Sequence, residues 1–294
     1  MTQKDSVRRL LRKSMTRSWV RNPLHTLTQA SILPSSIWRR LPVETNFKIS
    51  LPGGGSFVYS AVANDAIGRS LFWRGLRDWE SETVPIFCRY TRRSRLVLDI
   101  GANTGVYSLL ACAANPHSEV ISYEPVPQIF HRLSENIALN GWEERCEVRN
   151  EAVSDIVGKA ELHVPYGDVP SSASLHRDGF RATQGALITV PVTSVDTLSN
   201  SAAVNLVKID VEGFEDKVLI GMKETLASTS PTVIFECNPD GPSQVIESLL
   251  VSFGYRFYHL RDEGPVPVKS IEPDQQGNYR NFLATVSPVR NQTK

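Results

Sequence analysis

Five carboxylates stand where an apolar run gives way to a turn: Asp99, Glu124, Asp210, Glu212 and Glu236. The first lies in LVLDIGANTGVYSLL (Leu96–Leu110), just ahead of the turn Gly101-Ala102-Asn103-Thr104-Gly105. Glu124 closes the next apolar run, 23 residues after Gly101. An acid at that distance from a glycine turn can accept both hydroxyls of a ribose. Two phosphate-binding readings lose their key residues. A dinucleotide turn reads G-x-G-x-x-G, and a Walker loop ends in Gly-Lys-Ser/Thr, whereas this turn is G-x-x-x-G and continues Gly-Val-Tyr.

A cofactor with a ribose and a cationic amino-acid tail would use all of these parts, and S-adenosylmethionine has that chemistry. Asp99 or its neighbours would take the ammonium. Backbone amides around Gly101, Asn103 and Gly105 would approach the carboxylate and ribose, and Glu124 would hold the diol. The adenine would rest near Glu151 and Ala152, at the end of the following strand. The competing reading treats Asp99 and Glu124 as turn caps.

A second set of groups follows the runs NLVKID and TVIFECNP. Neighbouring parallel strands lie about 4.8 Å apart, so Asp210 and Glu236 can converge, with Asn238 near. Two roles stay open. A carboxylate among Asp210, Glu212 and Glu236 can take a proton from a substrate hydroxyl, or Asp210, Glu236 and Asn238 can ligate Mg2+ through hard oxygens. Capping competes here too, because acids at Asp210, Glu212 and Glu215 would stabilise a helix N-terminus. Ser172, Ser174 and His176, in the polar stretch YGDVPSSASLHRDGFRATQGA, are candidates to line the mouth that admits the acceptor.

These groups need a scaffold of strand tips. Apolar runs predict buried strands at 96–100, 119–123, 146–153, 205–209 and 232–237, with helices at 106–114, 128–140 and 215–225 between them. Such alternation predicts an α/β fold with a mostly parallel sheet covered on both faces. KAELHVP and LITVPVTSV alternate as an inserted antiparallel hairpin, and FKISLPGGGSFVYSAV reads as an earlier one. SLFWRGLRDWESETVPIF reads as one helix, and GYRFYHL with YRNFLATV as an antiparallel hairpin on the sheet edge.

Of the 294 residues 41% are hydrophobic and 21% charged, an ordinary globular balance, and a net charge of +1 gives no footprint for nucleic acid. Met1–Thr45 nevertheless carries nine Lys/Arg against two Asp/Glu. SVRRLLRKSMTRSWVRNP has Val7, Leu10, Leu11, Met15 and Trp19 near helical spacing. A basic amphipathic helix of this kind either touches an anionic membrane or packs one face on its own domain. No apolar core of signal-peptide or membrane-spanning length is present. Four cysteines without a C-x-x-C pair fit buried, reduced thiols and a cytoplasmic setting, peripheral at most to a membrane's inner face. The organisation expected is a basic N-terminal extension over 1–45, a hairpin and helix capping the cleft over 46–94, and the main domain over 95–288.

Taken in order, VLDIGANTGVYSLL, YEPVP, NEAVSDIVGKAEL, SSASL, VPVTSVDTL, LVKIDVEGFEDKVLIGM and IFECNP resemble the FkbM family of S-adenosylmethionine-dependent methyltransferases. The resemblance runs from about Leu71 to Asn238. It implies a class I methyltransferase (Rossmann-like) fold, with a seven-stranded, mostly parallel sheet whose last strand is antiparallel. It implies O-methylation of a small-molecule or glycan acceptor: a sugar, a polysaccharide or glycolipid precursor, or a secondary metabolite. By the same resemblance Asp99, Gly101, Asn103, Gly105 and Glu124 are cofactor residues. Asp210, Glu212 and Gly213 form a second signature, and Trp79 and Glu80 cap the cleft. Rival readings are nitrogen or carbon methylation, against which the sequence after the fourth strand offers Asp-Val-Glu-Gly where base methylases carry Asn/Asp-Pro-Pro-Tyr/Phe, and a non-catalytic scaffold.

Overall fold

The computed structural model describes residues 14–15, 17–165, 185–198 and 204–289. Helix α1 (Ser18–Gln29) and the short α2 (Ser35–Trp38) lead into a hairpin of β1 (Thr45–Ser50) and β2 (Ser56–Ala61). Helices α3 (Ala66–Arg74) and α4 (Val84–Thr91) follow. The segment expected as one helix is therefore broken. Gly75 takes φ +64°, a left-handed value that ends α3, and a single 3-10 turn follows.

Alternation then sets in: β3 (Leu96–Ile100), α5 (Val106–Ala114), β4 (Glu119–Tyr123), α6 (Pro127–Ala138) and β5 (Cys146–Arg149). The expected strand 146–153 divides here. Ala152–Val153 forms β6, which leaves the main sheet and pairs parallel with β8 (Gly185–Thr193), itself antiparallel to β7 (Gly158–Pro165). The inserted hairpin thus exists, while its crown lies outside the described residues. The chain returns through β9 (Val204–Ile209), α7 (Glu215–Ile220), α8 (Lys223–Thr229), β10 (Thr232–Glu236), α9 (Ser243–Ser252), β11 (Arg256–Arg261), β12 (Gly264–Val268) and β13 (Asn281–Thr285). The expected helix 215–225 is two helices. They part at Gly221, where a Cβ would lie 2.1 Å from the Ser154 carbonyl oxygen.

The main sheet has the order β12-β11-β13-β10-β9-β3-β4-β5. Strands β5, β4, β3, β9 and β10 are mutually parallel, and β13 runs antiparallel between β10 and β11. Apart from the edge strand β12, this is the class I methyltransferase arrangement. The two C-terminal strands expected as an edge hairpin are antiparallel partners, but β13 is interior. The true edge strand β12 carries Pro265 and Pro267, which cannot donate to a ladder and so suit an edge.

Alternate residues of each central strand enter separate cores, as the two-residue period of a strand demands. Leu98, Ile100, Val207 and Ile209 join α7, α8 and α9 on one face, while Val97, Leu206 and Ile234 face α4, α5 and the N-terminal segments. Met15, Trp38 and Phe57 belong to this second core, and the hairpin strand β2 packs on α3, α5 and α6, so the N-terminal segments are continuous with the main domain's core. Helix α1 docks on α3 through polar ties: Gln29 Nε2 donates to Trp73 O (2.9 Å) and Arg74 Nη1 to Thr28 O (2.8 Å). Of the amphipathic stripe, Met15 is buried and Trp19 is 71% exposed, while Val7, Leu10 and Leu11 lie outside the described residues. The four cysteines are buried and free. No helix among the described residues is long and apolar enough to cross a membrane.

Candidate active site

The chain turns one way from β3 to reach β4 and β5 and the other way to reach β9 and β10. The carboxyl ends of these strands therefore flank a switch point, where open α/β sheets bind ligands. Register sets which groups meet there. Asp99 lies opposite Ser122 on one side and Lys208 on the other, and Phe235 pairs with Ile209, so Glu236 comes level with Asp210. A cavity opens at these tips, lined among others by Asp99, Gly101, Asn103, Glu124, Asp210 and Glu236. It encloses about 190 Å³ and opens to solvent at its mouth.

The glycine turn is pinned by contact rather than by taste. Gly101 has φ +79°, and a Cβ there would fall 1.9 Å from the Asp210 carbonyl oxygen, whose own N–H donates to Ile100 O (2.9 Å). The turn and the β9 tip can touch only because the side chain is absent. Gly101→Ala is accordingly expected to destabilise the protein by about 3 kcal/mol or more, through left-handed strain and overpacking, seen as a drop in Tm. A variant melting within a degree or two of wild type would show that the turn is free to move. Gly105 behaves differently. It does not line the cavity; it precedes α5 at φ +91°, with the space of a Cβ taken by Leu133 (2.4 Å).

Glu124 is 5% exposed, and each of its carboxyl oxygens accepts one backbone N–H: Oε2 from Asn103 (3.0 Å) and Oε1 from Val126 (2.9 Å). Lone pairs on both oxygens are left over for two further donors. Burial is the main influence on its carboxyl and pushes it up to about 7, against the two N–H bonds. Asp99 is tied to Ser108 Oγ (2.5 Å), and burial pushes it up to about 6. Glu151 and Ala152 also line the cavity, where adenine was expected.

At the β9 tip the structure adds groups that sequence reasoning missed. Lys208 is fully buried in the mostly apolar β9, its Nζ 3.5 Å from Asp210 Oδ2 and 5.0 Å from the centre of the Tyr107 ring. Burial disfavours its charge, but Asp210, Glu80, Glu236 and Asp99 outweigh that and raise the ammonium to about 12. A lone lysine inside an apolar run was the signal, since a buried charge requires a partner. The Tyr107 hydroxyl donates to Glu80 Oε2, which also accepts from Asn281 Nδ2 (3.1 Å). The Trp79 ring lies tilted against Tyr107, 5.3 Å between centroids, and lines the cavity with Glu80.

Three cavity residues hold left-handed backbone without being glycine: Glu80 (φ +43°), Asn103 (+51°) and Glu212 (+52°). Such strain persists where surrounding structure enforces it, and it clusters at functional sites. Burial raises Glu212 to about 7, and burial followed by Asp210 raises Glu236 to about 9. Arg280 Nη1 is 3.4 Å from Glu236 Oε1, but the arginine side chain is 53% exposed and screened by water, so burial prevails. Glu215 caps its own loop, accepting from the N–H groups of Val211 (3.3 Å) and Gly213 (3.1 Å).

The expected magnesium trio is not assembled. Asn238 lines neither this cavity nor its neighbour, and cations of the chain already flank Asp210 and Glu236. Among the described residues no group of three or more His, Cys, Asp or Glu could hold a metal ion. Ser172, Ser174 and His176 lie outside the described residues.

A class I sheet with an acid-rimmed switch point is thus in place, and comparison with known proteins narrows the class. The chain belongs to the FkbM methyltransferases: the model of the methyltransferase FkbM domain matches residues 99–257. Curated relatives include hexuronic acid methyltransferase AglP of Haloferax volcanii, 28% identical over 55% of this chain and 64% of that protein. 2-O-methyltransferase NoeI of Sinorhizobium fredii is 27% identical over 46% and 60%. The 31-O-demethyl-FK506 methyltransferase FkbM of Streptomyces tacrolimicus is 27% identical over 56% and 74%. The chain spans less than two thirds of the length of the first two. A solved methyltransferase FkbM from Methylobacillus flagellatus is 14% identical, with a TM-score of 0.45 over 65% of this chain and 43% of that one.

Proposed function

We propose that this chain is an S-adenosylmethionine-dependent O-methyltransferase acting on a hydroxyl of a small-molecule or glycan acceptor. The observation that carries the reading is the pairing at the switch point. Glu124 keeps lone pairs on both oxygens for a diol, and across from it a glycine turn approaches the β9 tip too closely for any side chain. Those features fit an adenosyl cofactor, whose sulfonium supplies a methyl group that an oxygen nucleophile can take.

The chain's own groups then have definite tasks. Asp99, Gly101, Asn103 and Glu124 hold the cofactor, with Glu151 and Ala152 beside the adenine. Asp210, kept close to the Lys208 ammonium, accepts the hydroxyl proton. Glu236, pushed up to about 9, stays protonated near neutrality and shapes the wall. Trp79 and Glu80 close the cleft from the segment 46–94, over a catalytic unit at 95–288. No step is assigned to Mg2+, because the donor trio is not gathered. The relatives named as a 2-O-methyltransferase and a 31-O-demethyl-FK506 methyltransferase support oxygen as the acceptor atom, and the one named for a hexuronic acid supports a sugar acceptor.

Transfer of labelled methyl from S-adenosylmethionine to a panel of saccharides, glycolipid extracts and polyketide alcohols, with and without chelator, tests this. Product methylated on nitrogen or carbon, or no product despite cofactor binding, would refute it. A pH dependence follows as well. Diol binding needs the Glu124 carboxylate, which is protonated below about 7 in the free protein. Affinity for S-adenosylhomocysteine should therefore fall as pH drops through 7, by up to about tenfold per unit. Calorimetric titration returning one Kd from pH 8 to pH 6 would remove Glu124 from the site.

The basic N-terminus we place against the inner face of a membrane in the cytoplasm. Trp19 (71% exposed), Ile32 (66%) and Ile37 (46%) support this, beside the excess of Lys/Arg. Flotation with anionic vesicles, compared between the full chain and the variant Trp19→Ala, measures it.

A further inference from the structure

Trp79 and Glu80 precede residues 99–257, the span that the family model matches, yet both line the cavity at the strand tips. We propose that Glu80 is a cofactor ligand that takes the ammonium of the S-adenosylmethionine tail, so that the segment 46–94 completes the cofactor site instead of only covering it. This rests on the methyltransferase reading and deepens it.

Pose comes first. Glu80 holds a left-handed backbone (φ +43°), pinned because its carbonyl oxygen accepts from the N–H groups of Thr83 and Val84 (2.9 Å each) as α4 begins. Strain that the surroundings enforce in this way points to function. The side chain is fixed as well. The Tyr107 hydroxyl and Asn281 Nδ2 (3.1 Å) both donate to Oε2. Oε1 carries no such bond among the described residues and stays accessible in the cavity that Glu80 lines, with lone pairs for a further donor.

Place comes second. The Tyr107 ring, whose hydroxyl holds Glu80, lies 5.0 Å from Lys208 Nζ, and Lys208 and Asp210 are the charges that act on Glu80 most, so Glu80 stands beside the β9 tip. Glu124 stands at the β4 tip, with β3 between them. Two strand spacings, roughly 10 Å, separate those tips. A ligand whose diol meets Glu124 and whose tail crosses the glycine turn after β3 brings the end of that tail to Glu80. Asp99, the other acid near that path, is 2% exposed with Oδ2 held by Ser108 Oγ (2.5 Å), whereas Glu80 is half-buried and keeps one oxygen open.

Charge comes third. Burial raises the Glu80 carboxyl above its ordinary range, and the Lys208 ammonium is the charge that most opposes this, although its Nζ contacts Asp210 at 3.5 Å instead. A second cation at Oε1 would act in the same sense as Lys208 and favour the ionised form. An ammonium brings three donors and that positive charge. The carboxylate of the same tail would be repelled, and it belongs with the backbone amides of the glycine turn.

The test compares S-adenosylhomocysteine with its deamino analogue, in which hydrogen replaces the tail amine, by calorimetric titration at pH 8. Wild type is expected to bind S-adenosylhomocysteine at least about tenfold tighter than the analogue, the scale of one hydrogen bond between charged groups. The variant Glu80→Gln keeps an amide oxygen that can accept from Tyr107 and Asn281. In it that gap should shrink to about twofold or less, while affinity for the analogue holds. Equal binding of the two compounds by wild type overturns the proposal without recourse to any variant. A tenfold gap that persists in folded Glu80→Gln overturns it as well. No binding of S-adenosylhomocysteine by wild type refutes instead the methyltransferase reading on which it rests.

Discussion

Glu124→Ala is expected to abolish S-adenosylmethionine binding while the protein stays folded. Hydrogen bonds to a charged acceptor are worth about 1.5–3 kcal/mol each, so losing two diol contacts costs roughly 3–6 kcal/mol, or about two to four decades in Kd. The N–H groups of Asn103 and Val126 lose their acceptor at the same time, which loosens the turn proposed to frame the ribose. The fold should tolerate the change for a reason of sign. Burial raises the Glu124 carboxyl from its ordinary value to about 7, so the ionised group opposes folding, and its favourable share fades as pH climbs from about 4.5 to 7. Removing it above pH 7 takes away a buried charge. Calorimetric titration and a thermal melt at pH 8 check both halves, and an unchanged Kd would rule out the cofactor pose.

Asp210→Asn is expected to leave cofactor affinity near that of wild type and to lower kcat by about two to four decades, the usual contribution of a positioned base. Asparagine keeps the shape and the backbone contact with Gly101, and Glu80 still faces the buried Lys208. Alanine would confuse loss of the base with the penalty of a buried ammonium left short of a partner. A signature separates this from a merely structural role. Asp210 is the charge that, after burial, most raises Glu236, so its removal should move the Glu236 titration downward from about 9. Any alkaline limb that Glu236 sets near 9 in wild type should therefore move to lower pH in the variant. Normal turnover by the variant would sink the assignment of Asp210 as base.

The central strands and turn were legible because their signals are local. The strands at 96–100 and 119–123 and the helix at 106–114 lie where the apolar runs and the glycine turn put them. Five of the expected acids and neighbours, Asp99, Glu124, Asp210, Glu212 and Glu236, do line one cavity, since a parallel sheet with its crossovers on both faces brings all its strand ends to one rim. Errors arose where a distant contact overruled a local pattern. Ala152–Val153 continues an apolar run, yet it pairs with β8 in another sheet, and the helix after Glu215 breaks where Gly221 meets Ser154.

What the sequence determined by itself is therefore the class of fold, the glycine turn and the acids at the strand tips: each follows from composition and period within a few dozen residues. Tertiary structure alone decided which acids share a wall. Tyr107, Glu80 and Asn281 form one hydrogen-bonded chain although Glu80 and Asn281 are 201 residues apart. It also decided that Lys208 stands between Asp210 and Tyr107, and that a Cβ at Gly105 would meet Leu133 where one at Gly101 would meet the Asp210 carbonyl oxygen. Register and strand insertion set those neighbours, and a charge's behaviour depends on its neighbours and its burial, neither of which is written in any one stretch of chain.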